Sequence, residues 1–382
     1  MENPEDIEEI LSVHWPHIFA SVDSSSPITL TKLSIRNWLI SSPTGQSYIL
    51  KSTSTSSSIN SIDFELQYLI DLNQFFANEY RVPIPIATIN QLNHATGRFW
   101  LYEYIDGKVY ADNDTTHLFD ERELISLAKC TSKYHQFLMT HSPSLATNKR
   151  STTREHLLEE LKQAAVIHYS LFFSFLIIDF CSIQESIPQS NSNSTTTTTT
   201  TTTNDSTNGI DVVSQYFIGC YPLLCRLLRD SLSRQQKTNI IRSYPIHRNL
   251  RPSKVVWSRD NCVVALLDFE NVNHDTLWRD LAVCLSTFCT SSSPSIITDV
   301  DRMRIFIEEY MKQMSGGTAR VSSQTEQEVF QLIVDEIILC ACEDFTLIYW
   351  QYIHQRDKFQ GLKAMEFYYK RALWHAEHAL KK

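Results

Sequence analysis

Residues 244–281 read YPIHRNLRPSKVVWSRDNCVVALLDFENVNHDTLWRDL, and the reading of this stretch decides the fold. Two short β-branched, apolar runs, Lys254 to Trp257 and Cys262 to Leu267, flank the polar turn Ser258 to Asn261, which predicts a hairpin. A loop carrying His247 precedes the hairpin, Asp268 stands where its second strand ends, and a helix is expected to start near Asp275. A carboxylate placed this way is delivered to the mouth of a cleft, where a metal or phosphate can meet it.

Upstream of that stretch the pattern is strand-like, then helical. Within residues 28–52, ITLTKLSI, NWLISS and SYILKS alternate with period two between turn residues, which predicts an antiparallel meander. In IDFELQYLIDLNQFF the apolar positions Phe64, Leu66, Leu69, Ile70, Leu72 and Phe75 follow a helical stripe. RVPIPIATIN is held extended by its prolines, and GRFWLYEYIDGK reads as an aromatic strand ended by Asp106-Gly107. A short amphipathic helix with Ile7, Ile10, Leu11 and Trp15 comes before all of these.

Beyond Gly107 three-to-four spacing dominates: ERELISLAKCTSKYHQFLMTH, a stretch from about Thr153 to Cys181, Asp211 to Leu232, and four further segments after the hairpin. The tract at 186–209 is Ser/Thr-rich with nothing to bury and is expected to be a disordered insertion. The fold class is therefore α+β and bilobal: a small antiparallel-sheet lobe over residues 1–105, and a mostly helical lobe over 106–382 with the embedded hairpin.

Composition narrows the function classes. With 382 residues and 42% hydrophobic content, the chain can bury a sizeable core. A formal charge of −9 argues against a nucleic-acid partner. The apolar run Ala164 to Ile178 is interrupted by His168 and two serines and is shorter than the roughly 20 residues of a membrane-spanning helix, so no membrane is expected. Nine cysteines without a CxxC pair, and an acidic start without a secretory pattern, point to reduced thiols in the cytoplasm.

The ordered segments resemble the aminoglycoside phosphotransferase family, kin to choline kinases and a bacterial type of homoserine kinase, on a protein-kinase-like fold. The family pattern HGDLHPGNVL, hairpin, IDFE or IDWE, then D-x-x-x-D-L-A is similar to HRNLRPSKVV, LLDFE and DTLWRDLA here. His247 to Asp268 spans 21 residues and Asp268 to Asp280 spans 12, close to the family spacings. Upstream, the resemblance implies that Lys51 in SYILK pairs the phosphates, with Glu65 as its ion-pair partner. It also implies that the backbone of Glu103, Tyr104 and Ile105 takes the adenine edge, that Asp268 holds Mg²⁺, and that Asp280 braces the loop backbone. ATP and Mg²⁺ are the implied cofactors, and a small-molecule or protein acceptor of unknown identity the implied partner.

This chain departs from the family pattern at the chemistry itself. Phosphoryl transfer needs charge neutralisation and a carboxylate that orients and deprotonates the acceptor. At the base position stands Asn249, which accepts a hydrogen bond but takes no proton, with His247 beside it reading as a residue that packs under the loop. At the metal-binding Asn position stands Lys254, a cation. Losing a general base costs about 10²–10⁴ in rate. The segment that would cover the phosphates, LTKLSIRNWLI, contains no glycine, so Leu33, Ile35 and Arg36 crowd the approach although Arg36 itself can meet a phosphate.

The expected function is a small-molecule-kinase-like protein that binds ATP in the interlobe cleft, with phosphoryl transfer to a hydroxyl or amine weak or lost. Two alternatives stay open: a pseudokinase serving as a binding or scaffold module, and an active ATP-dependent kinase with an atypical loop.

Overall fold

The computed structural model describes residues 4–19, 28–42, 44–53, 59–112, 117–141, 163, 212–237, 243–290, 298–316, 323–355 and 360–379. The tract 186–209 and nearly all of the stretch from Thr153 to Cys181, with its apolar run Ala164 to Ile178, lie outside these. The chain forms two compact units, Met1–Ser151 with Ile241–Ile333, and Thr152–Ile240 with Val334–Lys382.

The first unit opens with helices α1 (Pro4–His14) and α2 (Pro16–Phe19), then strands β1 (Thr29–Lys32), β2 (Asn37–Ser41) and β3 (Ser47–Ser52), helix α3 (Ile59–Phe76) and strand β4 (Phe99–Glu103). The strands make one antiparallel sheet in the order β1-β2-β3-β4. Period-two alternation gives that sheet two unlike faces. Trp38, Ile40, Tyr48, Leu50, Phe99 and Leu101 turn to one side and close a core with Ile7, Leu11, Trp15 and Phe19 of the N-terminal helices. Full burial of such side chains contributes about 1.5–3 kcal/mol each. Trp15 also donates its indole N–H to the Ile86 carbonyl at 2.9 Å. The opposite face carries Asn37, Lys51 and Trp100 in one cross-strand row and Leu39, Ile49 and Tyr102 in the next.

Helix α4 (Glu121–His141) begins with a reciprocal cap: Asp120 Oδ1 accepts from the Glu123 amide at 2.8 Å, and Glu123 Oε2 accepts from the Asp120 amide at 2.7 Å. The predicted hairpin forms from β6 (Val255–Trp257) and β7 (Val263–Leu266), with Asn261 at φ 59 in the turn. Its first strand starts one residue later than the sequence suggests, because Pro252–Lys254 is a 3₁₀ turn. Gly107, at φ +153, lies where a Cβ would sit 2.4 Å from Val256 Cγ1 and 2.7 Å from the Trp257 carbonyl oxygen, so only glycine allows this approach to the hairpin.

A second difference lies around the hairpin. Tyr244–Ile246 is a strand, β5, paired antiparallel with β8, Asn273–Asp275. Asp275 is therefore strand, and the following helix α6 starts at Leu277 and runs to Phe288. Helix α7 (Val300–Met314) packs along α4 through the 2.8 Å hydrogen bond between His135 Nδ1 and the Tyr310 hydroxyl and the 2.9 Å bond from Gln136 Nε2 to the Gln313 carbonyl.

The second unit is helical. Helix α5 spans Val212–Lys237, five residues beyond the expected Leu232. It meets the later part of α8 (Ser323–His354), where Phe217 stacks on Tyr349 at 3.7 Å and Arg234 grips Asp335 with bonds of 2.6 to 3.1 Å. Tyr216 meets Tyr369 of α9 (Leu362–Trp374) edge-on. The cysteines among the described residues are free thiols, and no described helix is long and apolar enough to cross a membrane.

Candidate functional site

The site lies within the first unit, on the sheet face opposite the N-terminal core. Lys51 enters it from near the end of β3, almost wholly buried, and donates to Glu65 Oε1 of α3 at 3.4 Å and to Asp268 Oδ1 at 3.2 Å, with Glu270 Oε2 at 3.6 Å. Its ammonium is also 5.5 Å from the Trp100 ring centre. Burial alone would lower the Lys51 pKa, but Glu65, Asp268 and Glu270 together hold it above its usual value. Burial raises that of Glu65, against the pull of Lys51.

Asp268 follows β7 in a left-handed conformation, φ 65 and ψ 64. A non-glycine residue held there stores strain, and such residues gather at functional sites. Its second oxygen, Oδ2, accepts from Lys254 Nζ at 2.6 Å. Burial opposes ionisation of this carboxyl, yet Lys51 and then Lys254 outweigh it and hold the pKa below the ordinary aspartate value. Lys254 is placed by its own turn: Pro252 opens the 3₁₀ helix, and the Lys254 carbonyl accepts from the Leu267 amide at 2.9 Å, one residue before Asp268.

The loop before the hairpin is tied from beneath. Asp280, fully buried on α6, accepts from the His247 amide at 2.9 Å and from the Arg248 amide at 2.6 Å, and Arg248 is left-handed at φ 62. The His247 ring is buried, with Nε2 2.9 Å from the Leu267 carbonyl and Nδ1 3.3 Å from the Asn249 amide. The carbonyl can only accept and the amide only donate, so the ring is neutral with its proton on Nε2. Burial lowers its pKa, in keeping with that form. Both nitrogens are thus committed to backbone, and Asn249 sits half-buried at the end of the loop.

At the sheet edge, the Tyr104 amide donates to the Ser47 carbonyl at 2.9 Å and the Leu101 carbonyl accepts from the Ile86 amide at 2.7 Å. In the alternation of an antiparallel ladder this turns the N–H and C=O of Glu103 to the outer edge of β4. The Glu103 side chain points to solvent beside Arg81, at 3.5 Å, and Ile105 packs on Val256 and Ala265 of the hairpin.

Lys51, Lys254 and Asp268 line one cavity of about 130 Å³ together with Asn37, Trp100, Tyr102, Ser253 and Phe269. Asn249 and Glu103 do not line it. Trp100 and Asn37 carry no sequence motif; they belong here because their strands pair in register with Lys51. Glu270 is two residues past Asp268 in the LDFE segment, and its carboxylate also meets Arg36 at 3.3 Å.

A Mg²⁺ ion asks for several oxygen ligands at about 2.0–2.1 Å. Here both oxygens of Asp268 are taken by ammonium groups, and among the described residues no cluster of acidic, His or Cys side chains could hold a metal. A divalent ion drawn to Asp268 would also meet the like charge of Lys254, which already holds Asp268 Oδ2 at 2.6 Å. The residues present do not fit the metal.

Residues 31–171 match the model of the phosphotransferase enzyme family, which covers Lys51, Glu65 and Glu103 but not the segment 244–281. No curated protein matches the sequence significantly. Among solved structures the chain is similar to an aminoglycoside 2'-phosphotransferase-IIIa in its GDP complex, at 11% identity over 97% of this chain and 99% of that one, TM-score 0.59. It is also similar to an aminoglycoside phosphotransferase from Alicyclobacillus acidocaldarius, at 12% identity over 100% and 97%, TM-score 0.59. A Plasmodium vivax ethanolamine kinase aligns at 12% identity over 100% and 91%, TM-score 0.54. The fold is protein-kinase-like, and the resemblance to aminoglycoside phosphotransferases and their kin holds in a family signature as well as in the fold.

Proposed function

We propose that this chain, with a phosphotransferase signature over residues 31–171 and a kinase-like fold, is an ATP-binding protein whose phosphoryl transfer is weak or lost. The observation that carries this reading is the 2.6 Å contact of Lys254 Nζ with Asp268 Oδ2. Where a kinase neutralises developing charge with metal held by this carboxylate, this protein has satisfied the carboxylate with its own cation.

Nucleotide binding rests on what is retained. Lys51 is set by Glu65 and Asp268 to meet phosphate, and the outward N–H and C=O of Glu103, with Tyr104 and Ile105 following, offer an edge for adenine. Asn249 can orient an acceptor hydroxyl but cannot remove its proton. His247 and Asp280 hold the loop in shape and take no part in proton transfer. The free thiols suit a cytoplasmic protein, and the acceptor, if one is used, is a small molecule or a protein bearing a hydroxyl or amine.

The cavity of about 130 Å³ has room for a phosphate-sized group rather than a whole nucleotide, which favours a second reading, a pseudokinase acting as a binding or scaffold module. Calorimetric titration of the full chain with ATP, with phosphate release followed in the same samples, separates the two. Binding without turnover supports the first reading, absence of binding supports the second, and turnover at ordinary kinase rates removes both.

A further inference from the structure

Resting on the nucleotide-binding reading, we propose that the cleft takes its nucleotide free of divalent metal, the Lys254 ammonium supplying the positive charge that a metal would bring. The geometry favours this on three counts. Both Asp268 oxygens are engaged, Oδ1 by Lys51 at 3.2 Å and Oδ2 by Lys254 at 2.6 Å, so a metal chelated by the phosphates finds neither oxygen of that carboxylate free of a cation. A hard divalent ion would also have to enter beside two ammonium groups, which a bare polyphosphate instead pairs with.

The Lys254 backbone is fixed, and its ammonium is placed against Asp268. The Pro252–Lys254 turn and the 2.9 Å bond from the Leu267 amide to the Lys254 carbonyl fix its backbone against the residue preceding Asp268. A cation placed in advance loses little conformational freedom when an anion arrives.

The wall of the cavity supplies an independent sign of a ligand. Trp100, 2% exposed, lines it directly across the ladder from Lys51, and its buried indole N–H has no hydrogen-bond partner. A buried donor left unpaired is costly. On the same row Asn37 also lines the cavity, and its Oδ1 is likewise buried without a partner.

The test is calorimetric titration of the full chain with ATP in excess EDTA and again in excess Mg²⁺, for the natural protein, Lys254→Asn and Lys254→Arg. The natural protein should bind ATP in EDTA at least as tightly as in Mg²⁺. Lys254→Asn should lose about tenfold or more in EDTA and recover with Mg²⁺, as expected for losing one charge-assisted contact. Lys254→Arg, which keeps the charge, should stay metal-independent and guards against an Asn variant that fails to fold. Binding by the natural protein that is tenfold or more tighter in Mg²⁺ than in EDTA overturns the metal-free proposal alone. No binding under either condition overturns the nucleotide reading and this proposal with it.

Discussion

Lys254 Nζ lies 2.6 Å from Asp268 Oδ2, while Lys51 Nζ holds the other oxygen of the same carboxylate at 3.2 Å. One aspartate is thus clamped between a lysine of strand β3 and a lysine of the Pro252–Lys254 turn, and Glu65 closes the row behind Lys51. In the function proposed above, the carboxylate that would face a metal is given to an internal cation.

Removing Lys51 should show how far the fold depends on this row. In Lys51→Met, Glu65 loses its partner in a nearly dry setting, and breaking a buried pair from one side costs about 3–5 kcal/mol. The loss should fall near the lower end, because burial already raises the Glu65 pKa and a lone Glu65 can take up a proton. Urea unfolding of Lys51→Met, Glu65→Leu and the double variant measures the coupling. The double variant should be more stable than the sum of the single losses, and strict additivity would contradict the pairing.

Asp280 should matter to the loop without matching the cost of a cleft residue to binding. Asp280→Asn leaves one carbonyl oxygen for two amides, His247 and Arg248, and turns an N–H toward one of them. The expected loss is about 2–3 kcal/mol, with hydrogen-exchange protection lost at those two amides first. Unchanged protection there would contradict the brace.

Acid should weaken the protein in two separate windows. His247 is buried with its pKa lowered, and His375 is pushed down to about 3 by burial and then by Arg371. For both, the unfolded chain binds more protons below the free-histidine value of about 6.5, so stability falls as pH drops through that value, by at most about 1.4 kcal/mol per pH unit per histidine. The Asp268 pairs act lower, since a depressed carboxyl keeps its contribution until pH falls below the ordinary aspartate range. Urea unfolding at pH 7 and pH 5 tests the first window. His375→Phe should flatten that slope, and equal stability at the two pH values would contradict burial of neutral rings.

The legible part of this site is the part written in order along the chain. Lys51, Glu65 and Asp268 follow from a strand end, a helix start and a second strand end in the right sequence, and the structure sets Lys51 within 3.4 Å of each of the two carboxylates. Lys254 is legible as a misplaced charge, but its grip on Asp268 depends on the 3₁₀ turn Pro252–Lys254, which a β-branched run starting at Val255 hides. Trp100 and Asn37 face the cavity only because β2, β3 and β4 pair in one register, a non-local fact that no single segment states. The β5–β8 pair is hidden for the same reason: Pro245 and the polar run Asn273-His274-Asp275 have little strand character, and the two segments pair across the 26 residues between them.

Restoring the two departed positions tests the central claim most directly. The natural protein and the double variant Asn249→Asp/Lys254→Asn are incubated with radiolabelled ATP and Mg²⁺, and labelled phosphate transferred to water or to a panel of hydroxyl and amine acceptors is counted. The natural protein should show little or no transfer, and the double variant should gain at least about 10²-fold, the low end of what a general base supplies. Transfer by the natural protein at about 1 s⁻¹ or faster, within the range of working kinases, abolished by Lys254→Asn, would contradict it.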